Sequence, residues 1–174
     1  MRPEILISIL LSLTVFMGCK DDPQPQTELE KLPAATREGK NTFGCLVDGK
    51  AWIPRLSTDI VAFYQEGVLA IGGGDGKRYF QITIFDEHLS EQNYLLSNNI
   101  PPSSYPNAGI GNYSDNCGEF ETTSDVTGTL TITHFDPSFR KWIISGTFEF
   151  EAYSEECQKT VKVTDGRFDL NYAP

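Results

Sequence analysis

No recognisable catalytic grouping stands in this sequence. It holds only two histidines, His88 and His134, and neither a Gly-x-Ser-x-Gly elbow nor a His-Glu-x-x-His pair occurs. The glycine run 72–76 lacks the Gly-Lys-Ser/Thr ending of a phosphate loop and has no helix after it, so it reads as a flexible hairpin turn. No two of Cys45, Cys117 and Cys157 have C-x-x-C spacing and no histidine lies near them, which argues against zinc. Asp115, Asn116 and Asp125 offer oxygens, but no twelve-residue loop with regularly spaced acids is present for calcium. The composition therefore calls for no metal and no other cofactor. Basic character is also missing. Lys and Arg number 14 against 24 Asp and Glu, a net charge of −10, which excludes nucleic acid as a partner because phosphates select basic surfaces. No Lys/Arg cluster suits anionic headgroups, so any membrane association must rest on something other than surface charge.

The amino terminus supplies that something. After Met1-Arg2, residues Ile5 to Met17 are almost wholly apolar, about 13 residues, which suits a signal-peptide core but falls short of the roughly 20 needed to span a bilayer. Phe16-Met17-Gly18-Cys19 follows and resembles a lipobox, with Phe16 where Leu or Val is usual. The resemblance implies cleavage before Cys19, diacylglycerol on its thiol and acylation (palmitate) of its new amino group. Several acyl chains, at about 0.8 kcal/mol per buried methylene, anchor stably where one would be marginal. Lys20-Asp21-Asp22 looks like the export signal that sends Bacteroidota lipoproteins to the outer face of the outer membrane. Residues 1–18 are thus read as signal peptide. Residues 19–40, rich in Pro, Gln and charge, are read as the lipidated Cys with a disordered tether, and 41–174 as a single domain.

That domain reads as all-β, an antiparallel sandwich or flattened barrel of about nine or ten strands. Asp48-Gly49 between apolar runs predicts a hairpin. In 79–85, Phe80, Ile82 and Ile84 alternate with Tyr79, Gln81 and Thr83, one face buried and one wet. Residues 97–111 are expected to form the longest loop, and 86–91 one helical turn. Segments 128–135, 141–152 and 160–172 are long and alternating, with Trp142, Ile144, Phe148 and Phe150 sharing a face. Within the last, the apolar parity switches from Val161 and Val163 to Phe168, Leu170 and Tyr172, which a bulge at Asp165-Gly166 would restore. The segments NTFGCLVDGKAWIP (41–54), GTLTITHFD (128–136), ISGTFEF (144–150) and VKVTDGRFDL (161–170) resemble a family of Bacteroidota lipoproteins classed as domains of unknown function. The resemblance implies a compact β domain at the cell envelope and carries over no activity and no catalytic residue.

Candidate ligand-binding residues come from the loops. Tyr105 and Tyr113, interleaved with Asn107, Asn112, Asp115 and Asn116, suit a stacking platform with hydrogen-bonding amides that holds a sugar; the plainer alternative is that the tyrosines cap the core. His134 has the parity of Leu130 and Ile132, which points it inward, either as a hydrogen-bonded core residue or as a pocket base with Asp136. Glu119/Glu121 and Glu155/Glu156 would serve glycoside hydrolysis only if two carboxylates faced each other, and solvated charge explains them more simply. Three functions stay open: a surface-tethered, non-catalytic module binding glycan or an envelope protein, a carrier enclosing a small apolar ligand, and a hydrolase with an unrecognised site. The missing nucleophile and base favour the first.

An exported chain meets an oxidising compartment, and after Cys19 its cysteines are odd in number, so at most one intrachain disulfide forms. Asp136-Pro137-Ser138-Phe139 marks the turn joining the two long segments 128–135 and 141–152. Numbers of facing residues then sum to a constant near 275, which sets Cys157 opposite 118 or 119 and within a residue or two of Cys117, close enough for a bridge. Cys117–Cys157 is therefore expected, with Cys45 a buried free thiol.

Overall fold

The computed structural model describes residues 27–98, 108–138 and 141–174. Cys19, Lys20, Asp21, Asp22 and Tyr105 lie outside them. The described residues form eleven strands: β1 (Thr42–Val47), β2 (Lys50–Trp52), β3 (Ile60–Gln65), β4 (Val68–Gly74), β5 (Tyr79–Phe85), β6 (Asn93–Leu96), β7 (Ala108–Ser114), β8 (Glu119–Glu121), β9 (Gly128–Asp136), β10 (Ile143–Ser154) and β11 (Lys159–Asn171). The β1–β2 hairpin turns on Asp48 and Gly49, both with positive φ (48° and 76°), the twist-matching geometry that favours Asp-Gly in a two-residue loop. Glu66 and Gly67 (49° and 75°) repeat it between β3 and β4.

The strands lie in one sheet in the order β2-β1-β11-β10-β9-β6-β7-β5-β4-β3, all antiparallel except β6–β7. Two contacts bend the sheet back on itself. β8 bridges β7 and β10, and Ala173 pairs with Phe63 of β3. The result is a flattened sandwich around one core. Trp52, Phe43, Phe80, Tyr94, Phe120 and Leu130 are fully buried there. Trp52 of β2 packs on Phe80 of β5 at 4.3 Å between centroids, a contact across the interior, since the two strands are far apart in the sheet order. The outer face of β1–β2 therefore points away from the outer face of β5.

Bulges set which face each residue takes. In β11, Phe148↔Gly166 gives way to Phe150↔Val163, one extra residue beside Asp165 (φ 54°), and the apolar parity switches as the sequence predicts. A second bulge was not foreseen. Ser145 pairs with His134 but Gly146 with Ile132, so Thr133 is the extra residue, and β9 reverses its faces there. Phe135 packs on Tyr64 and Tyr172, and His134 is turned outward, against the expectation of an inward imidazole.

Four further expectations are corrected. Residues 108–111 are strand, not loop: Gly109 lies so close to β5 that a Cβ would come within 2.3 Å of the Thr83 carbonyl oxygen. Gly72–Gly74 likewise belong to β4, and a Cβ on Gly72 would meet the Phe80 carbonyl oxygen at 2.0 Å. Glycine serves close strand approach there rather than a turn, and the turn proper is closed by Asp75 N–H donating to the Arg78 carbonyl. Residues 86–91 form turns with no helix. Finally, 27–40 is not free tether. It forms a 3-10 turn at Leu29–Lys31, buries Leu32 and is tied down as a strap by Asp169.

The strap is held by charge rather than by apolar area, which is why composition concealed it. Asp169 is wholly buried. Its carboxylate accepts hydrogen bonds from the Thr36 hydroxyl, from the N–H groups of Glu38 (3.1 Å), Gly39 (2.8 Å) and Lys40 (3.2 Å), and from the Ser145 hydroxyl (2.8 Å). Burial alone would raise its pKa, but these donors outweigh burial and hold it at about 2, because each one favours the charged form.

Cys117 and Cys157 are disulfide-bonded with Cα atoms 6.0 Å apart, and Cys45 is free and buried, its thiol pKa pushed up by burial. The bridge ties the turn between β7 and β8 to the turn between β10 and β11.

Candidate functional site

On the wet face of β5, Tyr79, Gln81 and Thr83 alternate with buried Phe80, Ile82 and Ile84. The Tyr79 hydroxyl donates to Gln81 Oε1 (3.4 Å) and Gln81 Nε2 to Thr83 Oγ1 (3.1 Å), so these side chains lie along the strand in one line. Register carries the face across the sheet. Gln81 faces Asn112, Asn112 faces Glu121, and Glu121 faces Tyr153; beside this row, Tyr79, Ser114 and Glu119 form a second. Paired strands stand about 4.8 Å apart, so the rows put two amides, two carboxylates and a hydroxyl between two tyrosines. Together they line an open cleft of about 360 Å³.

How much of that polarity is already used decides what the cleft can do. Glu121 Oε2 accepts from Asn98 Nδ2 at 3.2 Å. Among the described residues, the Asn112 amide, the Glu119 carboxylate and the Tyr153 hydroxyl have no hydrogen-bond partner. Elsewhere polar groups are consumed. Trp52 Nε1 donates to Asp75 at 2.8 Å, which also accepts from the backbone and guanidinium of Arg78. Burial would raise Asp75, yet these donors hold it at about 2.

Of the residues named from sequence, Asn112 and the pair Glu119 and Glu121 lie in this cleft with their side chains on the open face. Tyr113 lines the cleft from beneath: its ring is buried against Phe80 and Phe120, the core-capping alternative, and its hydroxyl donates to Asp115 (3.2 Å). Burial and the neighbouring Asp115 charge push that hydroxyl's pKa up. Asp115 also accepts from the Cys117 N–H (2.8 Å), a turn-stabilising bond. His134 sits elsewhere, with Nδ1 3.5 Å from Glu91 Oε1, and Asp136 is occupied by Ser138 and Lys141, so the two do not form a pair. Tyr79, Gln81, Ser114 and Tyr153 were missed. The wet parity of Tyr79 and Gln81 was readable, but which strands stand beside β5 was not. No three His, Cys, Asp or Glu side chains among the described residues are placed to hold a metal ion.

Fold and face together define an all-β sandwich domain bearing a polar, tyrosine-flanked cleft on one outer layer. The chain belongs to the family described as Domain of unknown function (DUF6252), which it matches over residues 40–169. No curated protein and no solved structure matched it.

Proposed function

We propose that the protein is a lipid-anchored, non-catalytic binding module of the bacterial cell envelope, of the Bacteroidota type, and that its cleft holds a saccharide. Acylated Cys19 places it in the outer membrane, and Lys20-Asp21-Asp22 turn it toward the cell exterior. One observation carries the saccharide reading: unspent donors and acceptors (Asn112, Glu119, Tyr153) lie between tyrosine rings in a shallow, open depression. Hydroxyl-rich ligands need such groups in fixed positions, and aromatic rings supply apolar contact for sugar faces. The two carboxylates favour neutral or amine-bearing sugars over acidic ones, which like-charge repulsion would reject.

A panel of neutral, amine-bearing and acidic oligosaccharides titrated calorimetrically into the mature chain tests this. Neutral or amine-bearing members bind, and the double variant N112A/Y153F binds them at least tenfold more weakly. Binding that the variant leaves unchanged places the ligand elsewhere; no binding by any member sinks the saccharide reading.

A further inference from the structure

Seven large apolar side chains are exposed among the described residues; two of them, Leu29 (46% exposed) and Ile53 (49%), lie on segments that meet where the chain enters the fold, and Leu56 (55%) follows Ile53 by three residues. Single exposed apolar residues are ordinary, so their placement carries the argument. The Glu28 carboxylate accepts the Ala51 N–H at 2.7 Å, which pins the 3-10 turn bearing Leu29 to the free edge of β2. Ile53 follows two residues after Ala51. A Cβ on Gly44 would lie 2.8 Å from Ile53 Cγ2 and 2.9 Å from Pro33 Cδ, so the strap and the segment after β2 meet side by side over β1. On the same outer face Leu46 pairs with Ala51. Strap, β1 and β2 thus present one apolar edge.

We propose that this edge rests on the lipid bilayer, with Leu29, Ile53 and Leu56 at the interface, and that the cleft consequently faces away from the membrane. The inference depends on the reading of Cys19 as the lipidated residue. Thr27, the first described residue, follows Cys19 by eight positions. Eight residues reach at most about 29 Å even when fully extended, less than the roughly 35 Å width of a domain this size. Lengthening the leash first breaks the Glu28–Ala51 hydrogen bond that pins the turn, and beyond that gives up Leu32 burial and the Asp169 hydrogen bonds. The face carrying the strap is therefore the face held toward the lipid, and apolar side chains there gain by entering the interface. Because Trp52 meets Phe80 through the interior, the outer face of β5, with the cleft, lies on the opposite side.

Hydrogen exchange tests this on the mature chain in two forms. One is the native protein reconstituted in phosphatidylethanolamine–phosphatidylglycerol vesicles. The other carries a hexahistidine tag in place of residues 1–18, with Cys19→Ala, and is held on vesicles containing nickel-chelating lipid. Relative to the tagged chain free in solution, amides in 50–59 exchange at least threefold more slowly on both vesicles, while those in 112–121 are unchanged. The variant I53S/L56S, altered only at exposed positions, loses the protection. Unslowed amides in 50–59 on acylated protein overturn the docking and leave the anchor standing. Absence of acyl mass on Cys19 in cell-derived protein overturns the anchor reading and the proposal with it.

Discussion

The strap side and the cleft side of this sandwich use the same residue types to opposite ends. On the strap side a carboxylate, Asp169, is fully buried and accepts hydrogen bonds from two hydroxyls and three backbone N–H groups. On the cleft side Glu119 stands exposed beside an amide and a phenol that have no partner among the described residues. Burying a charge is tolerable only when hydrogen bonds replace its water, so the first arrangement is readable as structure. The second leaves water on the polar groups, and a ligand has only to displace it. A carboxylate's role here follows from what it already binds.

Three variants sharpen that contrast. Removing the disulfide as C117S/C157S has the largest effect: it frees a loop of 40 residues, and the chain-entropy model puts the cost near 4 kcal/mol. Urea unfolding of oxidised wild type against the double variant measures it, and a loss below about 1 kcal/mol would mean the cleft end holds itself without the bridge. Next comes D169A, which orphans the Ser145 hydroxyl and releases the strap. Loss of charge-assisted bonds to a buried partner predicts about 3 kcal/mol, whereas E119Q changes stability by less than about 0.5 kcal/mol because nothing folds around it. Equal losses in the two variants would erase the distinction between the sides.

The long strands were legible because alternation survives in them, and the switch of parity from Val163 to Phe168 announced its own bulge. His134 was misjudged for want of the same reading one strand earlier. Phe135, an apolar residue out of phase with Leu130 and Ile132, was the available signal of the bulge at Thr133. β7, with the sequence AGIGNYS, was illegible, since Gly109 is set by close approach to β5 and Gly111 by Phe150 of β10 and Thr122, long-range conditions that no local pattern reports. The disulfide emerged from register arithmetic that was itself displaced. Facing residues sum to 279 at Ile143–Asp136, 278 at Phe150–Gly128 and 274 at Tyr153–Glu121, the last being the sum for Cys117 and Cys157. The shift accumulates across the irregular stretch between β8 and β9. The cleft needed the neighbours of β5 as well, so of its open face only Asn112, Glu119 and Glu121 were named in advance, and Asn112 was not joined to the two carboxylates.

The pH dependence of stability isolates the clasp by itself. Asp169 has a folded pKa of about 2 against an ordinary 3.8. A depressed carboxylate pKa means that the folded state holds its charge more firmly than the unfolded chain does. Its contribution is therefore complete above about pH 5, declines as the unfolded chain begins to take up protons, and is gone once pH falls through 2. A difference of nearly two pKa units corresponds to about 2 kcal/mol. Asp75, held at about 2 by Trp52 and Arg78, adds a second acid-sensitive contribution of the same sign at the turn between β4 and β5. Stability followed by urea unfolding from pH 6 to pH 2 should fall monotonically. D169N should be less stable at pH 6 and lose correspondingly less between pH 5 and 2. A D169N curve parallel to wild type over that window would show that the strap is not held by the charge of Asp169, and the buried clasp would then be no more specialised than the open face opposite.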